Sequence, residues 1–321
     1  MKLMRRLQFE HYWFIAMLAG LIVVPWAVTL AFCPKPFAAY HTIAPSLIVK
    51  ANLFSLGWGV ANLLCGLCYV RIGFALTGGI LSGLGLAIGV TVPMLIKGSG
   101  LFSGTPNIGS TAGRTVILGA AIMLAGVVLV TLAGFGRDRK LTTLRQPSGQ
   151  FRTGVIMAVL AGVLSVGLSF SFVYTQDPIV KAMKAQGAGD IPANFAVWAV
   201  ALLGGALINL LYPAYRLTKN KSWKVLKEAW REGALATLIG LNICAGIALM
   251  GKGMLLLGAL GASAGFGIQQ ATQMLGSQGV GFISGEWRRV NGRPRMQMYT
   301  AILILITAAI VLAYANTLAK T

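Results

Sequence analysis

Residues 115–135 read TVILGAAIMLAGVVLVTLAGF, and residues 136–152 continue GRDRKLTTLRQPSGQFR. The first stretch carries no charged residue. As an α-helix rising about 1.5 Å per residue it reaches across the roughly 30 Å hydrocarbon core of a bilayer. The second is the longest polar, basic stretch in the chain. An apolar run that ends in clustered Arg and Lys is a transmembrane helix arriving at the cytoplasmic face, where basic residues are retained.

Eight more runs of that kind flank this one. Read in chain order, segment A is His11–Cys33, B is Ser46–Val70, C is Gly73–Ile96 and D is the quoted Thr115–Phe135. E is Thr153–Val173, F is Ala193–Tyr215, G is Gly233–Gly251, H is Ala262–Gly285 and I is Met296–Leu318. H is the least apolar, being rich in Gly and Gln. Composition agrees: of 321 residues 56% are hydrophobic and only 11% charged, against about 25% charged in soluble domains. A net charge of +20 would suit a nucleic-acid partner if the bases were spread over a soluble surface. They sit instead in short clusters between apolar runs, so the expected partner is the lipid bilayer, with no nucleic acid.

The basic clusters also set orientation. Nineteen of the 27 Lys and Arg fall on one side: near the N-terminus, at Arg71, in 136–152, in 216–231 and in 288–295. These clusters alternate correctly with all nine segments, which predicts a cytoplasmic N-terminus and a C-terminus outside, in a bacterial inner membrane. The linker 136–152 divides the chain into 1–135 and 153–321. Weak internal symmetry relates the halves: Trp13 and Pro25 in A match Trp198 and Pro213 in F, and Asn62 in B matches Asn242 in G. The predicted fold is an all-α polytopic membrane protein of about nine helices in two inverted-topology repeats. A–D then pair with F–I, and E has no partner. The first repeat reads as four helices and the second as five, as if an upstream helix were missing. A groove open to lipid beside the first repeat is expected from that gap. An upstream-extended chain is expected to be the more stable.

Several residues are candidates for chemistry. Segment B carries Asn52, Ser55, Gly59, Asn62, Gly66 and Tyr69 at steps of 3 and 4, one face of a helix. In hydrocarbon such a face must look into protein or a water-filled cavity. It suits the paired donors and acceptors that sugar hydroxyls need, and equally a seam of interhelical packing. Gln269 and Gln270 in H answer the Gly-rich segment C across the symmetry, the position where inverted-repeat transporters place their site. Ser165 and Ser169 share a face of E, where they either meet substrate or bond back to their own helix. Trp58 and Trp198 could stack on a sugar or simply pack. For proton coupling, the seven acids all lie outside the apolar midplane. Glu10 and Glu286, at the cytoplasmic ends of helices, are the candidates, with nearby Arg as ion-pair partners. Cys65 and Cys68 form a CxxC inside an apolar run with no second pair, so no metal site is expected. No phosphate-cradling loop or nucleophile–base–acid set occurs, so neither an enzyme nor a cofactor is expected.

The same residues carry a resemblance. Glu10 with Trp13, Val24-Pro25-Trp26-Ala27, and Gly59 and Asn62 with Gly66, Tyr69, Arg71 and Gly73 resemble the L-rhamnose–proton symporter family of the drug/metabolite transporter superfamily. Gly113-Arg114, Ser169-Phe170, Asn209, Gly285-Glu286-Trp287 and Gly292-Arg293-Pro294 continue the likeness over nearly the whole chain. The resemblance implies two inverted five-helix repeats, with one helix preceding Met1. It also implies import of L-rhamnose or a related deoxyhexose with protons, by alternating access. An exporter of drugs or metabolites on the same fold, and a membrane scaffold that transports nothing, are the alternatives. Oligomeric state is left open.

Overall fold

The computed structural model describes residues 6–72, 74–95, 107–140, 151–257, 264–283, 285, 287–288 and 290–319. Among these residues the chain is helical, with no strand. In chain order the helices are α1 (Phe9–Met17), a π-helical stretch Leu18–Val23, α2 (Val24–Phe32), α3 (Pro36–His41), α4 (Pro45–Ile72) and α5 (Phe74–Leu95). They continue as α6 (Thr111–Lys140), α7 (Phe151–Ser165), α8 (Gly167–Ala185), α9 (Asp190–Ala201) and α10 (Leu203–Lys219). The last are α11 (Trp223–Glu228), α12 (Trp230–Leu256), α13 (Phe266–Ile283) and α14 (Arg293–Leu318).

Among the described residues, seven stretches are long and apolar enough to cross a bilayer: Phe9–Phe32, Pro45–Tyr69, Leu76–Leu95, Thr111–Arg137, Phe151–Ala185, Trp230–Leu256 and Arg293–Leu318. The pair α9 and α10, bent by 53°, makes an eighth if counted as one span. The chain is thus a multi-pass, all-helical membrane protein. Segments A–E, G and I each find a span, and F is the bent pair. Segment H is present as α13, but its Gln and Gly keep it below that apolarity. E runs on past Val173 to Ala185, which carries Asp177 onto a helix, paired with Lys181 at 2.8 Å. At the linker, α6 continues to Lys140 and α7 begins at Phe151, while 141–150 lie outside the described residues.

The chain forms two compact units, each drawing on both halves of the sequence. The first is Met1–Leu63 with Gly167–Lys252, and the second is Leu64–Val166 with Gly253–Thr321.

In the second unit the seam is α6 against α14. Val116, Ala120, Met123, Val127, Val130 and Ala133 recur at steps of 3 and 4 and are buried. They meet Met298, Ala301, Leu305, Ala308, Leu312 and Ala315, spaced the same way. The opposite face of α6, with Leu118, Val128 and Leu132, is exposed. A helix apolar on every side, half of it unburied, is one that faces lipid. The two helices run antiparallel: Gly119 lies under Leu312, Gly126 under Leu305 and Gly136 under Pro294. Small residues allow that approach where no aqueous hydrophobic effect drives helices together.

In the first unit α2 packs on α9, and α1 packs antiparallel on α10, with Trp13 beside Asn209 and Glu10 beside Asn220. The π-helical stretch touches α12 backbone to backbone, and a Cβ on Gly20 would stand 2.5 Å from the Gly240 carbonyl oxygen.

Candidate functional site

The bend between α9 and α10 falls at Leu202, just before the pair Gly204-Gly205, where a helix breaks readily. A broken helix exposes backbone groups that hydrocarbon cannot satisfy, and side chains of neighbouring helices take them up. Ser171 Oγ donates to the Ala201 carbonyl at 2.9 Å. The Gly204 N–H donates to Asn52 Oδ1 at 2.7 Å, and the Gly205 N–H donates to Ser55 Oγ at 3.0 Å. Asn52 also donates from Nδ2 to the Ile48 carbonyl at 2.9 Å. Two members of the polar stripe on segment B thus cap the start of α10. Gly59 lets α4 approach Gly205, with a would-be Cβ 2.7 Å from the Gly205 oxygen, and the Trp58 indole lies against the same glycine.

One turn farther along, Asn62 joins a hub centred on Asn209. Asn209 Oδ1 accepts from Asn62 Nδ2 at 3.0 Å and from Trp13 Nε1 at 3.0 Å. Its Nδ2 donates to the carbonyls of Gly205 at 2.8 Å and Gly59 at 3.3 Å. Asn209 is fully buried, and each atom of its amide is engaged. The hub binds α1, α4 and α10 together. Sequence reading reached Asn209 only through the family resemblance, because its partners lie up to 196 residues away.

In the second unit a different group gathers around Gly85 on α5. A Cβ there would stand 2.8 Å from Ser165 Oγ and 3.2 Å from Gln270 Nε2. Helices α5, α7 and α13 therefore meet at a bare backbone flanked by a hydroxyl and an amide. Ser165 donates to the Gly162 carbonyl at 2.7 Å, which leaves its oxygen able to accept. No described residue hydrogen-bonds the Gln270 amide. Gly162 sets α7 against Leu84 at 2.9 Å from a would-be Cβ, and Gly89 receives the Phe266 ring, so α5 and α13 run antiparallel here. Gln269 points elsewhere and bonds Gln273 at 3.1 Å. Tyr69, on the second-unit portion of α4, bonds the Cys65 thiol, while Cys68 donates to the Gly154 carbonyl at 3.4 Å.

Ser169, on α8 in the first unit, is fully buried and its hydroxyl has no partner among the described residues. Glu10 is buried at the start of α1 and accepts from Asn220 Nδ2 at 3.0 Å. This amide is its partner among the described residues; of the Arg expected from sequence, Arg5 lies outside them. Beside it, His11 Nδ1 accepts from the Gln8 N–H at 3.3 Å, and Nε2 lies 3.3 Å from the Ser222 carbonyl. Glu286 lies outside the described residues. A groove of about 610 Å³ between α4 and α10 is lined by Ile48, Val49, Leu53, Leu203 and Leu207, among others. Those side chains are apolar, as a lipid-facing surface requires.

Comparison with known proteins agrees with this architecture. The family described as L-rhamnose-proton symport protein (RhaT) matches residues 1–318. A protein of Cronobacter sakazakii named L-rhamnose-proton symporter is 29% identical over 225 residues, 70% of this chain and 63% of its own length. Its namesake in Shigella dysenteriae serotype 1 is 28% identical over 222 residues, 68% of this chain and 62% of its own length. One from Escherichia coli is 29% identical over 220 residues, again 68% and 62%. The matched stretches thus span less than two thirds of these relatives' own length. All three are named as symporters, which are transporters and not enzymes. With the match running over nearly its whole length, the chain belongs to the L-rhamnose-proton symport protein family.

Proposed function

We propose that this chain is a secondary active transporter of a bacterial inner membrane, importing L-rhamnose or a related deoxyhexose together with protons by alternating access. One observation carries the reading. Three of the four segment pairs matched by sequence symmetry also meet in space, and they meet antiparallel: A with F, C with H and D with I. Helices related by a two-fold axis lying in the membrane plane pack in this way, and inverted repeats of that kind transport by rocking about a central site. On this reading α13 is a ninth span, and the repeats are 1–135 and 153–321 about a cytoplasmic linker. The N-terminus is cytoplasmic and the C-terminus periplasmic. The substrate class comes from the names of the relatives.

Ser165 and Gln270 over Gly85 are the proposed sugar contacts of the second unit, with Gln269 beside Gln270 on α13 and Tyr69 on α4 as further candidates. In the first unit Asn52, Ser55, Trp58 and Asn62 hold the bent helix in the form the site needs. Glu10, and from sequence Glu286, are the proposed proton-coupling carboxyls. The test is uptake of labelled L-rhamnose into proteoliposomes, with an inward proton gradient and after its collapse. Accumulation that disappears with the gradient is expected. Equal uptake in both conditions removes proton coupling, and no uptake of any deoxyhexose sinks the reading.

A further inference from the structure

On α9, Asn194 and Trp198 stand four residues apart and so share a face. Both are buried, at 5% and 1% exposure. Asn194 Oδ1 accepts no hydrogen bond and Trp198 Nε1 donates none among the described residues. The only bond of the Asn194 amide is a long one, from Nδ2 to the Ala248 carbonyl at 3.5 Å. Across from them on α8, Phe172 stacks on the Trp198 indole with centroids 4.5 Å apart and planes 15° apart. Ser169 lies three residues before Phe172, on the same side of α8, and its hydroxyl is the third unpartnered buried atom of the first unit's α8–α9 pair. Buried polar atoms in native folds are nearly always paired, so three orphans around one aromatic stack call for an explanation. Trp198 stands about one turn, and Asn194 just over two turns, before the break at Leu202, and discontinuous helices are where transporters of this class place their substrates.

We infer that Asn194, Trp198 and Ser169 form a hydroxyl-binding subsite for a neutral vicinal diol, closed over by the Gly251 turn of α12. The chemistry of the three atoms selects the ligand. An alcohol donates its proton to Asn194 Oδ1 and accepts the Trp198 N–H on its oxygen, which satisfies both orphans with one group. Ser169 both donates and accepts, and so completes a second hydroxyl. No carboxylate or cationic side chain is among the three, which suits an uncharged polyol over an anion or an amine. The lid is α12. A Cβ on Gly251 would stand 2.9 Å from Trp198 Nε1 and 2.9 Å from the Phe172 ring, so only a glycine lets the helix backbone rest on the indole edge. Gly246 and Gly253 flank it, and a Cβ on either would meet nothing within 4 Å, while Ile247, Ala248 and Met250 between them are buried. The structure is then the closed form, with the turn at Gly251 withdrawing to admit the diol. This inference rests on the sugar-transport reading.

The test uses the full chain in lipid nanodiscs, with labelled L-rhamnose as probe and thermal unfolding as a second readout. Asn194→Leu and Ser169→Ala are each expected to weaken binding about tenfold, the usual effect of removing one hydrogen-bond partner. Neither should lower the unfolding temperature by more than about a degree or two, since each deletes an oxygen that is unpaired without ligand and Asn194→Leu loses besides only the long bond to the Ala248 carbonyl. A monodeoxy analogue of L-rhamnose lacking the hydroxyl that Asn194 holds should bind the wild type and Asn194→Leu equally. If the wild type binds L-rhamnose and both variants bind it as tightly, the subsite is wrong and the transport reading stands. If the wild type binds neither L-rhamnose nor any other deoxyhexose, the transport reading falls and takes the subsite with it. Should Asn194→Leu not fold, Ser169→Ala and Trp198→Phe decide by the same criterion of affinity.

Discussion

Asn194 and Asn209 stand on the two arms of one bent helix, both buried, and their amides meet opposite circumstances. Asn209 has two donors on its oxygen and two carbonyls on its nitrogen. Asn194 has one long bond and an oxygen with nothing on it. The same contrast separates the Asn62 stripe, whose amides cap a broken helix, from the Ser165–Gln270 pair around Gly85. A saturated network has no free energy left to give a ligand, and its work is to hold helices together. An unsaturated one costs the empty protein stability, which a ligand with matching hydroxyls returns. In a membrane the distinction is sharper than in water, because no solvent reaches an orphaned group.

The hub should therefore fail as a fold, and the pair at Gly85 as a transporter. Asn209→Leu keeps the volume but strips acceptors from Trp13 and Asn62 and donors from two carbonyls. Unsatisfied groups at about 1–3 kcal/mol each should lower the unfolding midpoint in detergent by roughly 10 °C. An unchanged midpoint would mean the hub holds nothing. At Gly85 the added methyl group of Gly85→Ala meets the movable ends of Ser165 and Gln270 instead of backbone. The protein should fold, with both polar atoms pushed off position, and L-rhamnose uptake should fall roughly a hundredfold, as two lost hydrogen bonds imply. Gly20→Ala, whose Cβ strikes the Gly240 carbonyl, is the control that should lose the fold instead.

How far the sequence reaches follows the same line. Hydropathy and length placed segments A–D, G and I within a few residues of their spans, while E was ended at Val173, well short of Ala185. Burial in lipid is a local property, and each run records it by itself. The bend in F was not legible. It occurs at Leu202, just before Gly204-Gly205, but Gly78-Gly79 lies inside an unbroken α5 and Pro213 inside an unbroken α10. What permits the break is Asn52, Ser55 and Ser171 on other helices, and sequence cannot say which distant side chain will cap which carbonyl. The polar stripe on B was visible from its spacing, but spacing cannot tell a donor aimed at substrate from one aimed at the Gly204 or Gly205 backbone. Ser165 and Gln270 were readable as candidates, and their convergence on Gly85 was not, because it depends on how three helices cross. Asn194 left no signal: a single Asn in an apolar helix reads as packing until the structure shows its oxygen unpaired.

A narrower comparison lies between Gln270 and its neighbour Gln269. Gln269 is engaged with Gln273 on its own helix, whereas Gln270 faces Gly85. Gln270→Ala removes one of the two polar atoms there and should raise the KM for L-rhamnose about tenfold, the equivalent of about 1.4 kcal/mol. Gln269→Ala should leave KM alone. The opposite pattern in the uptake assay would move the site to the other face of α13.

The smallest effect is expected at Asn62, and it tests the comparison most directly. Its Nδ2 is one of two donors on Asn209 Oδ1, and Trp13 keeps the other. Its second contact is a 3.7 Å approach to the Met17 sulfur, a weak acceptor. Asn62→Ala thus leaves no buried atom orphaned. The loss should be that of a single ordinary hydrogen bond, about 1 kcal/mol, or a few degrees in the unfolding midpoint at most. L-Rhamnose uptake should then keep its KM within about twofold, below the roughly tenfold change that loss of a hydrogen bond to substrate brings. If Asn62→Ala instead raises KM tenfold at an unchanged midpoint, the Asn62 amide touches sugar. The stripe on α4 would then be a site, and saturation of an amide in the unliganded fold would no longer mark it as structural.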